Sequence, residues 1–155
     1  MIYLDTCYIL KCYLTEHGSP EVRELVSEAD GVTSAAHARV EFVAAVHRHL
    51  REGRITQNEM DGVLQVFDKD CDEGYWQWLP MTDAVMSLAR TTFRTVPSGV
   101  FLRTGDALHL ACAQHYGFTE VFSSDKHLLR AAVAFSITAK NVIPEAQAQP
   151  LLNTP

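Results

Sequence analysis

Short apolar runs alternate with amphipathic segments along most of this sequence. The runs MIYL, GVTS, YWQWL and TEVFSS are typical of strands because they are short and rich in apolar, β-branched or aromatic residues, and a last strand is expected in VAFSI or KNVI. Between them, apolar residues recur at helical spacing in residues 18–31, 35–53, 55–67, 82–93, 104–117 and 125–132. Strands that alternate with helices predict an α/β fold with a mainly parallel sheet, covered by helices on both faces.

Residues that favour helix starts precede the predicted helices. Thr56 and Glu59 form a capping box, and Pro20 suits the first helical position behind Ser19. The predicted N-caps are Ser19, Thr56, Thr82 or Asp83, Thr104 and Asp125. In segment 35–53, the spacing of the apolar residues predicts a core-facing stripe that includes Val40, Val43, Val46, His47 and Leu50.

Composition indicates one domain without a strongly basic surface. The chain has 155 residues, 47% of them hydrophobic, which suffices for one core, and its formal net charge is −6. This charge argues against nucleic-acid binding by clustered basic residues alone, so such contacts must be local or metal-mediated.

No stretch approaches the roughly 20 apolar residues of a membrane span, and a cytoplasmic protein is expected. The four cysteines form no CxxC pair, so neither a structural zinc site nor a disulfide framework is expected.

Acidic residues stand at or near the ends of the predicted strands. Asp5 follows MIYL and Asp125 follows TEVFSS, so both are expected at the carboxyl edge of a parallel sheet, where ligands bind. Asp106 lies in the first turn of its helix and points the same way, because the helices run antiparallel to the strands that they cover. Glu41 lies inside a helix beside Val40, and its carboxylate is expected to reach inward. Four carboxylates in one cleft must protonate or recruit cations, which favours Mg²⁺ or Mn²⁺.

Taken singly, each acid also has an ordinary structural explanation. Asp106 and Asp125 are good helix caps, Asp5 suits an exposed strand end, and Glu41 suits a helix surface. The joint pattern of four acids at one predicted edge of a sheet favours a shared site.

The segments YLDTCYIL, ARVEFVAAVHR, LRTGDALHLACA and VFSSDKHLLRAA follow one another across nearly the whole chain. In this order they resemble the PIN-domain nucleases and, within them, the VapC-type toxins of bacterial toxin–antitoxin pairs; the last two segments are the most specific. The resemblance implies a Rossmann-like PIN domain over residues 1–143, with about five mainly parallel strands. Residues 144–155 are rich in Pro and Gln and are expected to form a poorly ordered or partner-docked tail.

The resemblance also implies a site and a reaction. Carried over by position, the metal ligands and catalytic residues are Asp5, Glu41, Asp106 and Asp125, supported by the hydroxyl groups of Thr6 and Ser123. Ser123 stands where threonine is commoner in the family. The implied reaction is hydrolysis of RNA phosphodiester bonds with one or two Mg²⁺ or Mn²⁺ ions, which activate a water and stabilise charge on the phosphate. The resemblance further implies a homodimer that a VapB-like antitoxin inhibits by laying a C-terminal segment over the cleft.

Basic residues near the motifs are candidates for substrate contacts. Lys126 and Arg130 flank Asp125 and are the predicted contacts with substrate phosphate. The segment 48–54 carries three arginines, which suit RNA phosphates but are also common on solvated helix faces, the explanation that is favoured here. His109 is interpreted as a packed helix histidine and not as a general base.

Two other functions remain open at this point. A PIN-like module that binds RNA or protein without cleaving it would be favoured by the loss of an acid, and none is missing. A phosphotransferase of another Rossmann-like family would use Asp5 as its nucleophile, but the usual motif has a second Asp two positions later, where this chain has Cys7. The complete set of acids therefore favours the nuclease.

Overall fold

The structure is a computed structural model that describes residues 1–144. Its strands are β1 (Ile2–Tyr3), β2 (Val32–Ala35), β3 (Trp76–Leu79), β4 (Glu120–Phe122) and β5 (Thr138–Lys140). Its helices are α1 (Thr6–Tyr13), α2 (Ser19–Glu28), α3 (Ala38–Arg51), α4 (Gln57–Asp72), α5 (Asp83–Thr95), α6 (Thr104–His115) and α7 (Lys126–Ala131), and a 3₁₀ turn covers Ala132–Phe135. Strands and helices alternate, as the sequence predicts.

The strands form a parallel sheet in the order β3-β2-β1-β4-β5. All pairs within β1-β2-β3 and within β4-β5 are parallel. The two groups meet at a parallel bridge between Leu4 and Phe122, where the amide of Asp5 donates to the carbonyl of Phe122 at 3.1 Å. The mainly parallel, Rossmann-like sheet is therefore confirmed.

Helices cover both faces of this sheet. Successive strand residues point to opposite faces, so Tyr3 packs in a core with residues of α5, α6 and α7 while Leu4 packs in a second core with residues of α1, α3 and α4. Trp76 of β3 lies in the second core, 2% exposed. The prediction of a sheet covered by helices on both faces is therefore confirmed.

Most predicted helix starts are found, with two shifted by one residue. The capping box of Thr56 and Glu59 is present, and Thr82 and Asp125 cap α5 and α7. Ser19 is not an N-cap: Gly18 takes that position with a φ of 82°, and a Cβ there would clash with the side chain of Ile143. Thr104 is likewise the first residue of α6 and not its cap, which is Arg103.

Helix α3 differs from its prediction in phase. Ala35 belongs to β2, so the helix begins only at Ala38 and its buried residues are Ala38, Phe42, Val46 and His49. The expected core positions Val40 and Val43 are 73% and 40% exposed. Glu41 consequently lies in the first turn of α3 and not inside the helix.

The last strand lies between the two predicted positions and shares only Lys140 with the second, KNVI. The first, VAFSI, is not a strand, because the residues of VAFS form part of the 3₁₀ turn and the left-handed turn at Ser136, with a φ of 54°, that follows it. The predicted tail lies outside the described residues except for Pro144, so the boundary at 143 stays a prediction. None of the helices within residues 1–144 is long and apolar enough to span a lipid bilayer.

Candidate active site

One cleft of about 440 Å³ collects residues from the N-terminal ends of α1, α3, α6 and α7. All four predicted acids, Asp5, Glu41, Asp106 and Asp125, line it. Each of them caps one of these helices or lies in its first turn, where the partial positive charge of the helix end favours a carboxylate. The fold therefore brings together side chains that are distant in sequence.

Asp5 is almost fully buried and is satisfied by three donors. Its Oδ1 accepts from the amides of Cys7 at 2.7 Å and Tyr8 at 3.4 Å, and its Oδ2 accepts from the Ser123 hydroxyl at 2.5 Å. Burial raises the pKa of Asp5, although the charge of His109 and these hydrogen bonds oppose that shift. A carboxylate tolerates such burial because donors replace the lost water.

Arg103 bridges two of the acids. Its Nε and Nη2 donate to the two carboxylate oxygens of Asp106 at 2.8 and 2.9 Å, and Nη2 also donates to Oδ2 of Asp125 at 2.5 Å. Burial would raise the pKa of Asp125, but the hydrogen bond and charge of Arg103 lower it. A single guanidinium thus occupies a cation position between two carboxylates.

Glu41 is held by α1 and α6. Its Oε2 accepts from the Thr6 hydroxyl at 2.5 Å and lies 2.9 Å from Nε2 of His109. Burial acts to raise the pKa of Glu41, but the hydrogen bond and charge of His109, together with the Thr6 hydroxyl, lower it to about 2. Glu41 is therefore ionised at neutral pH.

Two histidines complete this side of the cleft. His109 is 3% exposed, and its Nδ1 lies 3.1 Å from the Tyr3 hydroxyl. The ring of His37, at the start of α3, lies 4.4 Å from the ring of His109 between centroids, and its Nε2 is 3.8 Å from Oε1 of Glu41. Burial, and then the charge of His109, lower the pKa of His37 to about 4.

Ligand atoms approach each other most closely on the histidine side. Within residues 1–144, the one set of three whose ligand atoms all lie within 4.8 Å of one another is His37, Glu41 and His109. The three aspartates do not form such a set, and Arg103 lies between two of them. The four acids share the cleft without being drawn together around one point.

The sequence had no direct signal for Arg103 or His37. Each does stand at helical spacing from a predicted acid, Arg103 three residues before Asp106 and His37 four residues before Glu41. His109, three residues after Asp106, was interpreted as packing only, yet it lines the cleft. The sequence signal that could have identified these three residues is their spacing of three or four positions from a predicted acid.

The predicted supporting residues lie in or beside the cleft, whereas the predicted phosphate-binding residues lie outside it. Thr6 lines the cleft, and the Ser123 hydroxyl joins Asp5 to the backbone amide of Asp125, which donates to it at 2.9 Å. Lys126 and Arg130 are exposed on α7 and do not line the cleft. The arginines that do line it are Arg48 and Arg103.

Solved structures share this fold at low sequence identity. The Mycobacterium tuberculosis toxin VapC20, which cleaves the sarcin–ricin loop, superposes with a TM-score of 0.67 at 13% identity, covering 84% of this chain and 95% of that chain. FitAcB from Neisseria gonorrhoeae gives a TM-score of 0.65 at 18% identity, covering 90% and 96%. VapBC2 from Rickettsia felis, bound to a DNA fragment from its promoter, gives 0.62 at 12% identity, covering 91% and 98%.

Comparison at the level of sequence gives a family and no individual relative. None of the curated proteins searched matches the chain. The model of the PIN domain family matches residues 2–134, which is most of the sequence and includes all four acids. The chain therefore belongs to the PIN domain family.

Proposed function

We propose that this protein is a metal-dependent endoribonuclease of the VapC toxin type, which hydrolyses RNA phosphodiester bonds with Mg²⁺ or Mn²⁺. The observation that carries the proposal is the meeting of four acids in one cleft, with a guanidinium already placed between two of them. Membership of the PIN domain family supports a nuclease in general.

The donor set fits a hard divalent cation. The proposed ligands are Asp5, Glu41, Asp106 and Asp125, which offer carboxylate oxygens of the kind that Mg²⁺ and Mn²⁺ prefer. Arg103 bridging Asp106 and Asp125 supports a position for positive charge at this point. A bound ion would supply Lewis-acid stabilisation of the phosphate and a more acidic water.

The protein's own residues orient the acids and bind the substrate. Ser123 and two backbone amides hold the carboxylate of Asp5 in a fixed rotamer, and Thr6 does the same for Glu41. We assign phosphate binding to Arg48 and Arg103, which line the cleft, ahead of Lys126 and Arg130. The Arg103 side chain is 46% exposed, and its Nη1, which donates to neither acid, is the donor left for an RNA phosphate.

The test is cleavage of RNA by the purified chain and by matched variants. Asp5→Asn and Asp106→Asn should each lower the cleavage rate by about 10²–10³-fold, the order of effect of removing an electrostatic group from a catalytic site. The matched control is Asp83→Asn, since Asp83 also lies in the first turn of a helix but outside the cleft. EDTA should abolish cleavage, and Mg²⁺ or Mn²⁺ should restore it. Undiminished cleavage in EDTA and in both site variants would reject the proposal.

One observation favours a second candidate, a PIN-like module that binds RNA or protein without cleaving it. Arg103 neutralises part of the charge that a metal would need. Under this alternative, the chain would bind labelled RNA in gel-shift experiments yet give no products at any Mg²⁺ or Mn²⁺ concentration.

The remaining proposals concern partners and location. We infer that an antitoxin of the VapB type covers the cleft and that the protein acts as a homodimer in the cytoplasm, where its RNA substrate is found. The likeness to VapBC2, bound to a promoter DNA fragment, supports looking for such a partner. Light scattering of the purified chain tests the dimer directly, with a monomer at all concentrations as the contrary result.

A further inference from the structure

We propose that His37, Glu41 and His109 form a transition-metal site that shares Glu41 with the four-acid set and takes Zn²⁺ or a similar borderline ion. The site is argued from the metal-binding chemistry of these three side chains. Its test is metal binding through the two histidines, which belong to no part of the proposed four-acid site, so its outcome does not depend on nuclease activity.

The geometry is close to that of a bound ion. Oε2 of Glu41 lies 2.9 Å from Nε2 of His109, and Oε1 lies 3.8 Å from Nε2 of His37. When one ligand atom is taken from each of His37, Glu41 and His109, the three atoms all lie within 4.8 Å of one another. Ligand atoms at about 2.0–2.2 Å from a tetrahedral Zn²⁺ are separated by roughly 3.3–3.6 Å, so small side-chain rotations suffice.

The chemistry of the donors separates this site from the acidic one. Two imidazoles and one carboxylate suit Zn²⁺, Fe²⁺, Co²⁺ or Ni²⁺, whereas Mg²⁺ prefers oxygen ligands throughout. Both ring nitrogens of His37 are shielded from solvent and make no hydrogen bond of standard geometry among residues 1–144, although a contact with the Gly105 backbone acts to raise the pKa of His37. A buried ring nitrogen without a well-formed hydrogen bond is available to a metal.

The surroundings are those of a supported metal ligand. The hydroxyl of Tyr3 lies 3.1 Å from Nδ1 of His109, and a partner on the second ring nitrogen is what orients metal-bound histidines. With a metal on Nε2, the Nδ1–H group would donate to the oxygen of Tyr3. The hydroxyl of Thr6 holds Oε2 of Glu41 and leaves Oε1 facing His37.

The start of helix α3 fixes the relative position of two of the three ligands. His37 caps this helix and Glu41 follows four residues later, so both lie on one side of its first turn. Two ligands four residues apart on a helix are a recurrent arrangement in zinc sites. Helix α6 supplies the third ligand from a nearly fully buried position, which limits its movement.

The experiment uses the full-length, metal-free protein titrated with Co²⁺ and with Zn²⁺. We expect one equivalent of Co²⁺ to give the intense visible absorption of a four- or five-coordinate site, and Zn²⁺ to displace it. His37→Ala should weaken Zn²⁺ binding at least 100-fold, since loss of an outer partner alone costs about 10–100-fold. The matched control is His47→Ala, because His47 is an exposed histidine of the same helix.

Further variants keep the result interpretable. His37→Phe retains the ring that packs on His109 but has no ligand atom, so it replaces His37→Ala if that variant unfolds by circular dichroism. Asp106→Asn should leave the intense part of the Co²⁺ spectrum in place, because a Co²⁺ ion held by the carboxylates alone would add only the weak absorption of an octahedral ion. The proposal is overturned if the His37 variants bind Zn²⁺ like the parent protein, if Co²⁺ gives only the weak spectrum of an octahedral ion, or if Asp106→Asn alone removes the binding.

Discussion

The two sides of the cleft hold their acids by different means. On one side, Arg103 fixes Asp106 and Asp125 with a charge that is permanent at physiological pH. On the other, Glu41 lies between Thr6 and the histidines, whose charge depends on protonation. The first side already contains a cation in place of a metal, whereas the second offers ligand atoms that a metal can use.

The difference also concerns burial. The Arg103 side chain is 46% exposed, and the side chain of Asp125 is 27% exposed, so solvent screens this pair. The side chain of His109 is 4% exposed, and its contact with the fully buried Tyr3 has no such competition from water, although its other partner, Glu41, is 36% exposed. The arginine side should therefore be easy to rearrange, and the histidine side should contribute more to the stability of the fold.

The largest expected effect is on stability, from His109→Ala. The change removes a buried ring, leaves the Tyr3 hydroxyl without the His109 nitrogen as its partner, and leaves Oε2 of Glu41 with the Thr6 hydroxyl alone. We expect a loss of about 2–4 kcal/mol in the free energy of unfolding, measured by urea denaturation. Arg103→Ala should cost about 1 kcal/mol or less, because its ion pairs are partly exposed.

His115→Ala is the matched control for this pair. His115 lies at the exposed end of the same helix, α6, so its removal should change the free energy of unfolding by less than about 0.5 kcal/mol. Equal losses for His109→Ala and Arg103→Ala would remove the contrast between the two sides. The fold would then depend on the guanidinium as much as on the buried histidine.

The sequence predicts well those features that depend on backbone geometry, such as strand ends and helix caps. Parallel strands end at one edge of a sheet, so Asp5 and Asp125 were expected together, and both reach the same cleft. Local capping chemistry was equally readable, because Thr56 and Glu59 interact within a single turn. Such features depend on neighbours in sequence or on the topology of the sheet.

The sequence was a poor guide to contacts between side chains of different elements. The packing of His37 against His109 joins two helices that are far apart along the chain, and no local pattern encodes it. The predicted start of α3 is wrong because Ala35 has a high helix propensity but pairs in β2 opposite Leu79, and its predicted core face is wrong because Phe42 and His49 are buried where Val40 and Val43 are exposed. Because α3 starts later than predicted, Glu41 lies in its first turn, where the sequence predicts a position inside the helix.

A second, smaller effect concerns metal affinity on the arginine side. If Arg103 competes with a divalent ion for Asp106 and Asp125, Arg103→Ala should tighten Mn²⁺ binding about 5-fold, since its partly exposed ion pairs contribute about 1 kcal/mol. Electron paramagnetic resonance of free Mn²⁺ measures this affinity. Arg94→Ala is the control, because Arg94 is exposed on α5 and does not line the cleft. Weaker Mn²⁺ binding would mean that Arg103 positions the acids.

The smallest expected effect comes from Gly105→Ala, which perturbs the histidine side through Glu41. A Cβ at this position would lie 2.7 Å from Oε1 of Glu41, so the carboxylate must shift. Gly62→Ala is the matched control in α4, where a Cβ meets nothing within 4 Å and should stabilise the protein by about 0.5–1 kcal/mol. At Gly105 the same helical gain is offset by the displaced carboxylate, so urea denaturation should show little net change. Equal stabilisation by both substitutions would show that Oε1 is free to move, and Glu41 would then be loosely held on the histidine side.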